Sequence, residues 1–412
     1  MERRIILNRL IQKYENSSHL LHPGQSRRRV MLRVDKKELP EYNVESATTR
    51  DAYNAAAKGL ERDGLIDLQW APDRPLITRF FLNLDNVDQA YEELGRPHPA
   101  KQAEQFINQL HDNARSIQTD WIQDWVHEQC QNACKTYRIP SVYQKNACLI
   151  DDLLCAFRHY DGLRGQSISI RAFSIQCYHD SKRFEHIVQG EFLRIARQYN
   201  GELAELCADE DINERGQLSY LGLQARPELF EFSGRLSLET DTGIVDLTPL
   251  FPCGIALPST QIDRIKRFRL EKIRTITFIE NKTNYDTYIQ RELKDDEMAI
   301  YLGGFLSPTQ RKMCQTIAAN TSYQTVVRLW ADIDLGGFRM FEQLQQVFPA
   351  LIPNRMSAEN VIEYKDKGLA RSVYYMEKLQ QAAQEKRFPL FSDAINAILD
   401  CGVTIEQEVF YS

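Results

Sequence analysis

Three acidic residues stand where chemistry could be done. Glu280 closes the apolar, β-branched run Thr275-Ile276-Thr277-Phe278-Ile279, and Asp332 and Asp334 follow Thr325-Val326-Val327-Arg328-Leu329-Trp330. Short runs of this kind read as strands buried on both faces. An acid at the carboxyl end of a buried parallel strand lies where open α/β sheets bind ligands. Asp332 and Asp334 are two apart, so extended backbone points both the same way. Three clustered carboxylates repel one another unless a cation neutralises them. Mg2+ or Mn2+ meets that need, because such hard cations take a few carboxylate oxygens, several waters and substrate phosphate. A metal held this way polarises a phosphate, activates water or steadies a leaving oxygen. An isolated Asp-x-Asp is ordinarily a solvated turn; Glu280 at an upstream strand end and the pairs Gly303-Gly304 and Gly336-Gly337 supply the structural context for a site.

The elements that must position these acids follow from the pattern around them. Met298 to Phe305 reads as a strand closing on a glycine pair, Pro308 to Ala319 as a helix, and a further helix starts near Arg339. Strands alternating with helices imply a parallel sheet, here in a C-terminal α/β domain over 263–412. Residues 166–262 read as a second winged-helix-like unit followed by a β segment, with Lys182 and Arg183 near its recognition surface and Pro252 to Pro258 as a loop. Residues 84–165 read as a helical arm, with Phe106, Leu110, Trp121 and Trp125 at helical spacing.

Residues 1–83 predict helices, then strands at Ile66 to Trp70 and Leu76 to Leu82. That order is a winged helix, which predicts either DNA contact through Arg50, Lys58 or Arg74 at the wing tip, or protein docking. The fold class is therefore multidomain, α/β and α.

Composition limits the partners. The net charge is −6, whereas a standalone DNA binder is usually basic. DNA contact must then come from local patches or from partners that deliver the DNA. No apolar run approaches the roughly 20 residues that span a bilayer, and Met1-Glu2-Arg3-Arg4 opens an amphipathic stretch rather than a signal-peptide core; the cytoplasm is the expected compartment. The nine cysteines are scattered, which argues against a disulfide framework. His127, Cys130 and Cys134 lack an evident fourth zinc ligand.

The acidic segments resemble a known family. Glu280, Gly303-Gly304 and Asp332-Ile333-Asp334-Leu335-Gly336-Gly337-Phe338 are similar to the Toprim domain of topoisomerase VI A subunits. The whole chain resembles the JetD family, nuclease subunits of Wadjet plasmid-defence systems. The likeness rests on Ile279 to Tyr285, Trp330 to Phe338, Phe173-Ser174 with Asp180 to Glu185, and Ile405-Glu406-Gln407-Glu408. Leu335 stands where relatives often carry Pro or Thr, and Met356-Ser357 where the family has Met-Asp.

The resemblance implies a cytoplasmic, homodimeric, metal-dependent endonuclease that cuts closed circular, double-stranded plasmid DNA. Its implied partners are an SMC-type ATPase, a kleisin and a small accessory subunit. Glu406 and Glu408 could assist the metal, and Lys282 could contact DNA. Two other readings compete with hydrolysis: transesterification by a tyrosine such as Tyr160, Tyr178 or Tyr199, of which Tyr178 lies nearest the Asp-Ser-Lys segment, and a non-catalytic DNA-docking scaffold.

Overall fold

The computed structural model describes residues 1–43, 45–72, 76–208 and 212–411. These form two compact units, one of residues 1–116 with 123–150 and the other of residues 117–122 with 151–412.

The first unit begins with the helix Glu2–Glu15, which buries Ile6, Leu7, Leu10 and Ile11. The helix Ala47–Arg62 starts where Ser46 accepts a hydrogen bond from the Thr49 N–H, satisfying one of the donors a helix start leaves open. It leads into the antiparallel hairpin Ile66–Trp70 with Ile77–Leu82, and Met31–Arg33 pairs on the hairpin's other side. Arg74 lies outside the described residues. Gly95 ends the helix Val87–Leu94 in the left-handed region, and Pro99–Ala114 follows, so the region after residue 84 is helical as its periodicity predicts.

The second unit holds the acids. Its largest sheet comprises β1 (Leu229–Gly234), β2 (Ile255–Pro258), β3 (Thr275–Ile279), β4 (Glu297–Tyr301), β5 (Val326–Trp330) and β6 (Ile352–Pro353), in the spatial order β6-β5-β3-β4-β1-β2. Strands β4, β3, β5 and β6 run parallel, as the alternating pattern predicts, while β1 and β2 extend the sheet antiparallel. The reading of Pro252 to Pro258 as a loop is corrected here: Ile255–Pro258 is an edge strand. Pro258 ends it, a place where a missing N–H costs no central ladder bond.

Alternation along the strands sorts side chains between two cores. Ile276, Phe278, Met298, Ile300, Val327 and Leu329 face the larger core, with Ile279, Ala299 and Trp330 in the other. Helices cover both faces. Tyr285, Tyr288 and Ile289 of α1 (Lys282–Arg291) join the smaller core, whereas α2 (Pro308–Ala318), α3 (Leu335–Gln345) and α4 (Val373–Gln384) pack into the larger one. Glu297, 1% exposed, lies within the sheet and accepts hydrogen bonds from Arg328 at 2.9 Å and Tyr288 at 2.8 Å. A carboxylate so buried persists because a cation and hydroxyls satisfy it.

Candidate active site

Parallel pairing of β3 and β5 brings their carboxyl ends side by side, so Glu280 and Asp332 meet although 52 residues separate them. The Glu280 N–H donates to the Trp330 carbonyl at 3.1 Å, and the Asp332 N–H donates to Glu280 Oε2 at 3.0 Å. The Gly303 N–H donates to the Glu280 carbonyl at 3.1 Å from the turn after β4. Gly303 has φ +70°, a conformation that side chains with a Cβ seldom adopt.

Asp334 plays a different part. Its backbone is extended, it is 5% exposed, and it caps α3 by accepting the Gly337 N–H at Oδ1 over 2.8 Å. Its Oδ2 accepts from Arg371 Nη2 at 2.9 Å. The helix therefore starts at Leu335, earlier than its apolar periodicity suggests, and the glycine pair sits in its first turn. Gly337 is required by close approach: a Cβ there would lie 2.0 Å from the Asp332 carbonyl oxygen.

Arg371 is itself held in place. Its Nε donates to Thr404 Oγ1 at 2.8 Å, and its guanidinium lies 5.0 Å from the centre of the Tyr375 ring. The Tyr375 hydroxyl accepts the Leu335 N–H at 2.9 Å. From the C-terminal side, Ile405 forms an antiparallel bridge with Ile333, and the Gln407 N–H donates to Asp332 Oδ1 at 2.6 Å.

These groups line a cleft of about 430 Å³ that includes Glu280, Asp332, Asp334, Glu406, Glu228 and Arg371. Burial, then the neighbouring charges of Glu280 and Asp334, push the Asp332 carboxyl up to about 9; the Gln407 N–H opposes that shift. A carboxyl so displaced is buried first of all, and then crowded by neighbouring negative charge.

The implied metal can be tested against these donors. The set is all oxygen, which suits Mg2+ or Mn2+. Among the described residues, however, no three His, Cys, Asp or Glu side chains converge as a ready-made metal cage. Asp334 already accepts bonds from Gly337 and Arg371. Glu280 and Asp332 thus fit as the donors, a number consistent with a cation that retains its waters.

The other expected residues are dispersed. Glu406 lines the cleft. Glu408 accepts from Asn281 Nδ2 at 2.5 Å. Lys282 pairs with Glu231 at 2.5 Å and Asp286 at 3.0 Å. Lys182 is exposed, whereas Arg183 pairs with Asp152 at 2.8 Å, and neither is part of the cleft lining. In the first unit, Arg50 pairs with Asp51 at 3.2 Å and Lys58 lies 5.4 Å from the Trp70 ring centre. Cys130 is buried and Cys134 exposed, and no three-ligand group forms around them among the described residues.

Sequence reasoning did not find Glu228, Arg371, Tyr375 or Gln407. Only Gln407 had a local signal, through its place in the terminal acidic segment.

Two comparisons bear on the chain as a whole. The family model for the C-terminal part of Wadjet protein JetD matches residues 244–411. The Wadjet protein JetD of Bacillus cereus (strain Q1) is 25% identical over 413 residues, covering 98% of this chain and 97% of that protein. The chain is thus similar to Wadjet protein JetD over nearly its whole length, and to the family's C-terminal model over residues 244–411. The matched residues include Glu280, Asp332, Asp334, Arg371 and Gln407, whereas Glu228 on the cleft wall precedes them. Among the described residues, no helix is long and apolar enough to cross a membrane.

Proposed function

We propose that this chain is a metal-dependent DNA endonuclease of a Wadjet system, cutting closed circular DNA by hydrolysis. The observation that carries this reading is the approach of Glu280 and Asp332 at adjacent parallel strand ends, with the Asp332 carboxyl pushed up to about 9. The resemblance of this segment to Toprim domains, and the likeness of the chain to Wadjet protein JetD, point the same way.

In this reading Glu280 and Asp332 would hold Mg2+ or Mn2+, which would supply Lewis acidity toward the phosphate and acidify a water. Asp332 is kept in orientation by the Gln407 N–H. Asp334 fixes the start of α3 and draws Arg371 to the cleft wall. Arg371 has further donors with which to meet a phosphate oxygen, since a guanidinium carries five.

Hydrolysis is preferred to transesterification because of Tyr178. Its hydroxyl donates to the Asp152 carbonyl at 2.7 Å, and burial holds the phenol well above its ordinary range. A covalent nucleophile needs the opposite, an adjacent base or a lowered pKa.

The helix-plus-hairpin portion of the first unit supports the winged-helix reading, with Arg50 and Lys58 as contacts to nucleic acid. A chain of net charge −6 fits a nuclease to which partners bring the DNA: an SMC-type ATPase, a kleisin and an accessory subunit. A cytoplasmic homodimer completes the proposal.

The test is incubation of supercoiled plasmid with the purified protein and Mg2+ or Mn2+, with and without the ATPase complex, beside Asp332→Ala. Nicking or linearisation by the wild type alone supports the reading. An intact plasmid with metal and partners supplied turns the assignment toward a DNA-docking scaffold.

A further inference from the structure

Gln407 is polar yet fully buried, and all four of its hydrogen-bonding groups serve the segments that carry the acids. Its N–H donates to Asp332 Oδ1 at 2.6 Å. Its carbonyl accepts from Asn284 Nδ2 at 2.6 Å. On the side chain, Oε1 accepts the Asn281 N–H at 2.7 Å, and Nε2 donates to the Trp330 carbonyl at 2.9 Å.

The pattern has a geometric meaning. Trp330 is the last residue of β5, and Asn281 directly follows Glu280 beyond β3. The Trp330 carbonyl also accepts the Glu280 N–H. One amide side chain therefore spans the two strand ends, while the backbone of the same residue orients the Asp332 carboxylate. A buried amide is costly unless both its ends are paired, and an apolar side chain of equal size would fill the space without that requirement. What the amide adds is registry between two loops that β-sheet pairing has ceased to govern.

We propose that Gln407 is a positioning residue that sets the orientation of Glu280 and Asp332, making the segment Ile405–Tyr411 part of the catalytic apparatus without touching a reacting atom. The proposal rests on the reading of these acids as the metal site. Groups that orient metal-binding side chains typically govern about 10–100-fold in affinity or activity.

Gln407→Met, close in shape but without the amide, tests it in the full-length protein, with Asp332→Asn alongside. Thermal melts report folding, calorimetric titration with Mn2+ alone reports the site, and plasmid cleavage with partners reports rate and DNA dependence. Gln407→Met is expected to fold, to bind Mn2+ at least about tenfold more weakly and to lose about 100-fold in kcat, with the dependence on DNA concentration unchanged. Wild-type Mn2+ affinity and kcat in a Gln407→Met protein that merely melts earlier would overturn the inference while leaving the acid site standing. If instead Asp332→Asn binds Mn2+ and cuts as wild type does, the acid-site reading fails, and the inference with it. Should Gln407→Met not fold, Asn284→Ala removes one bond to the Gln407 carbonyl. A weakening of Mn2+ binding by about threefold then supports the inference, and unchanged affinity overturns it.

Discussion

Arg371 Nη2 lies 2.9 Å from Asp334 Oδ2, the two being 37 residues apart in sequence. Among the described residues lining the cleft, Arg371 is the cationic one, facing Glu228, Glu280, Asp332, Asp334 and Glu406. It pairs with Asp334; in the proposed reading a metal meets the Glu280–Asp332 pair. Arg371→Leu should cost about 2 kcal/mol, below the loss for a fully buried pair because a fifth of the arginine side chain is exposed. Urea denaturation measures this. In a double-mutant cycle with Asp334→Asn, the second change should cost much less than it does alone.

Asp332 makes stability depend on pH in a defined direction. Its ordinary value is 3.8 and its folded value about 9, raised first by burial and then by Glu280 and Asp334. The folded state thus binds the proton more tightly than the unfolded chain does. The corresponding stability is fully present below 3.8 and is lost as pH rises through that window toward about 9. Metal-free protein should therefore melt progressively earlier, relative to Asp332→Asn, as pH is raised across the neutral range. Added Mn2+ should raise the wild-type melting temperature more than that of the mutant. A constant difference between the two proteins across pH would refute the assignment of charge crowding to this carboxyl.

Gly337→Ala should damage the site through backbone alone. The added methyl carbon would meet the Asp332 carbonyl oxygen at 2.0 Å, so either the first turn of α3 or the Asp332 loop must shift. Misplacement of reacting groups by about 1 Å can cost roughly 100-fold in rate, and a loss of at least tenfold in plasmid cleavage is expected. Gly190→Ala, where an added Cβ meets nothing within 4 Å, should leave cleavage unchanged and raise stability by up to about 1 kcal/mol.

Tyr178→Phe separates the two cleavage chemistries. Loss of the bond to the Asp152 carbonyl should cost about 1 kcal/mol in stability while plasmid cutting persists. A denaturing gel of the reaction should contain no protein–DNA adduct. An adduct that disappears with this change would establish the tyrosine as nucleophile instead.

The sequence made some of this visible and hid the rest for physical reasons. The strands ending at Ile279 and Trp330 were legible because both faces are buried, leaving continuous apolar runs with acids at their ends. The edge strand Ile255–Pro258 was concealed by Pro258 and the preceding Pro252, since proline marks turns more often than strands. Arg371 and Gln407 carry no periodic signal, since their hydrogen-bond partners lie 33 to 126 residues away. Asp334 was visible as an acid beside Asp332, but its helix-capping role depends on where α3 begins. That start is obscured by glycines usually associated with turns.

Gln407 also imposes an order of events on biosynthesis. Its contacts reach back 75 residues to Asp332 and 126 to Asn281, so β3 and β5 leave the ribosome well before the residue that locks their ends together. Translation proceeds at roughly 5–20 residues per second, and domains fold as they emerge. Until Gln407 is made, the ends of β3 and β5 lack the amide that links them. In the proposed nuclease, the orientation of the acids therefore waits on this late segment.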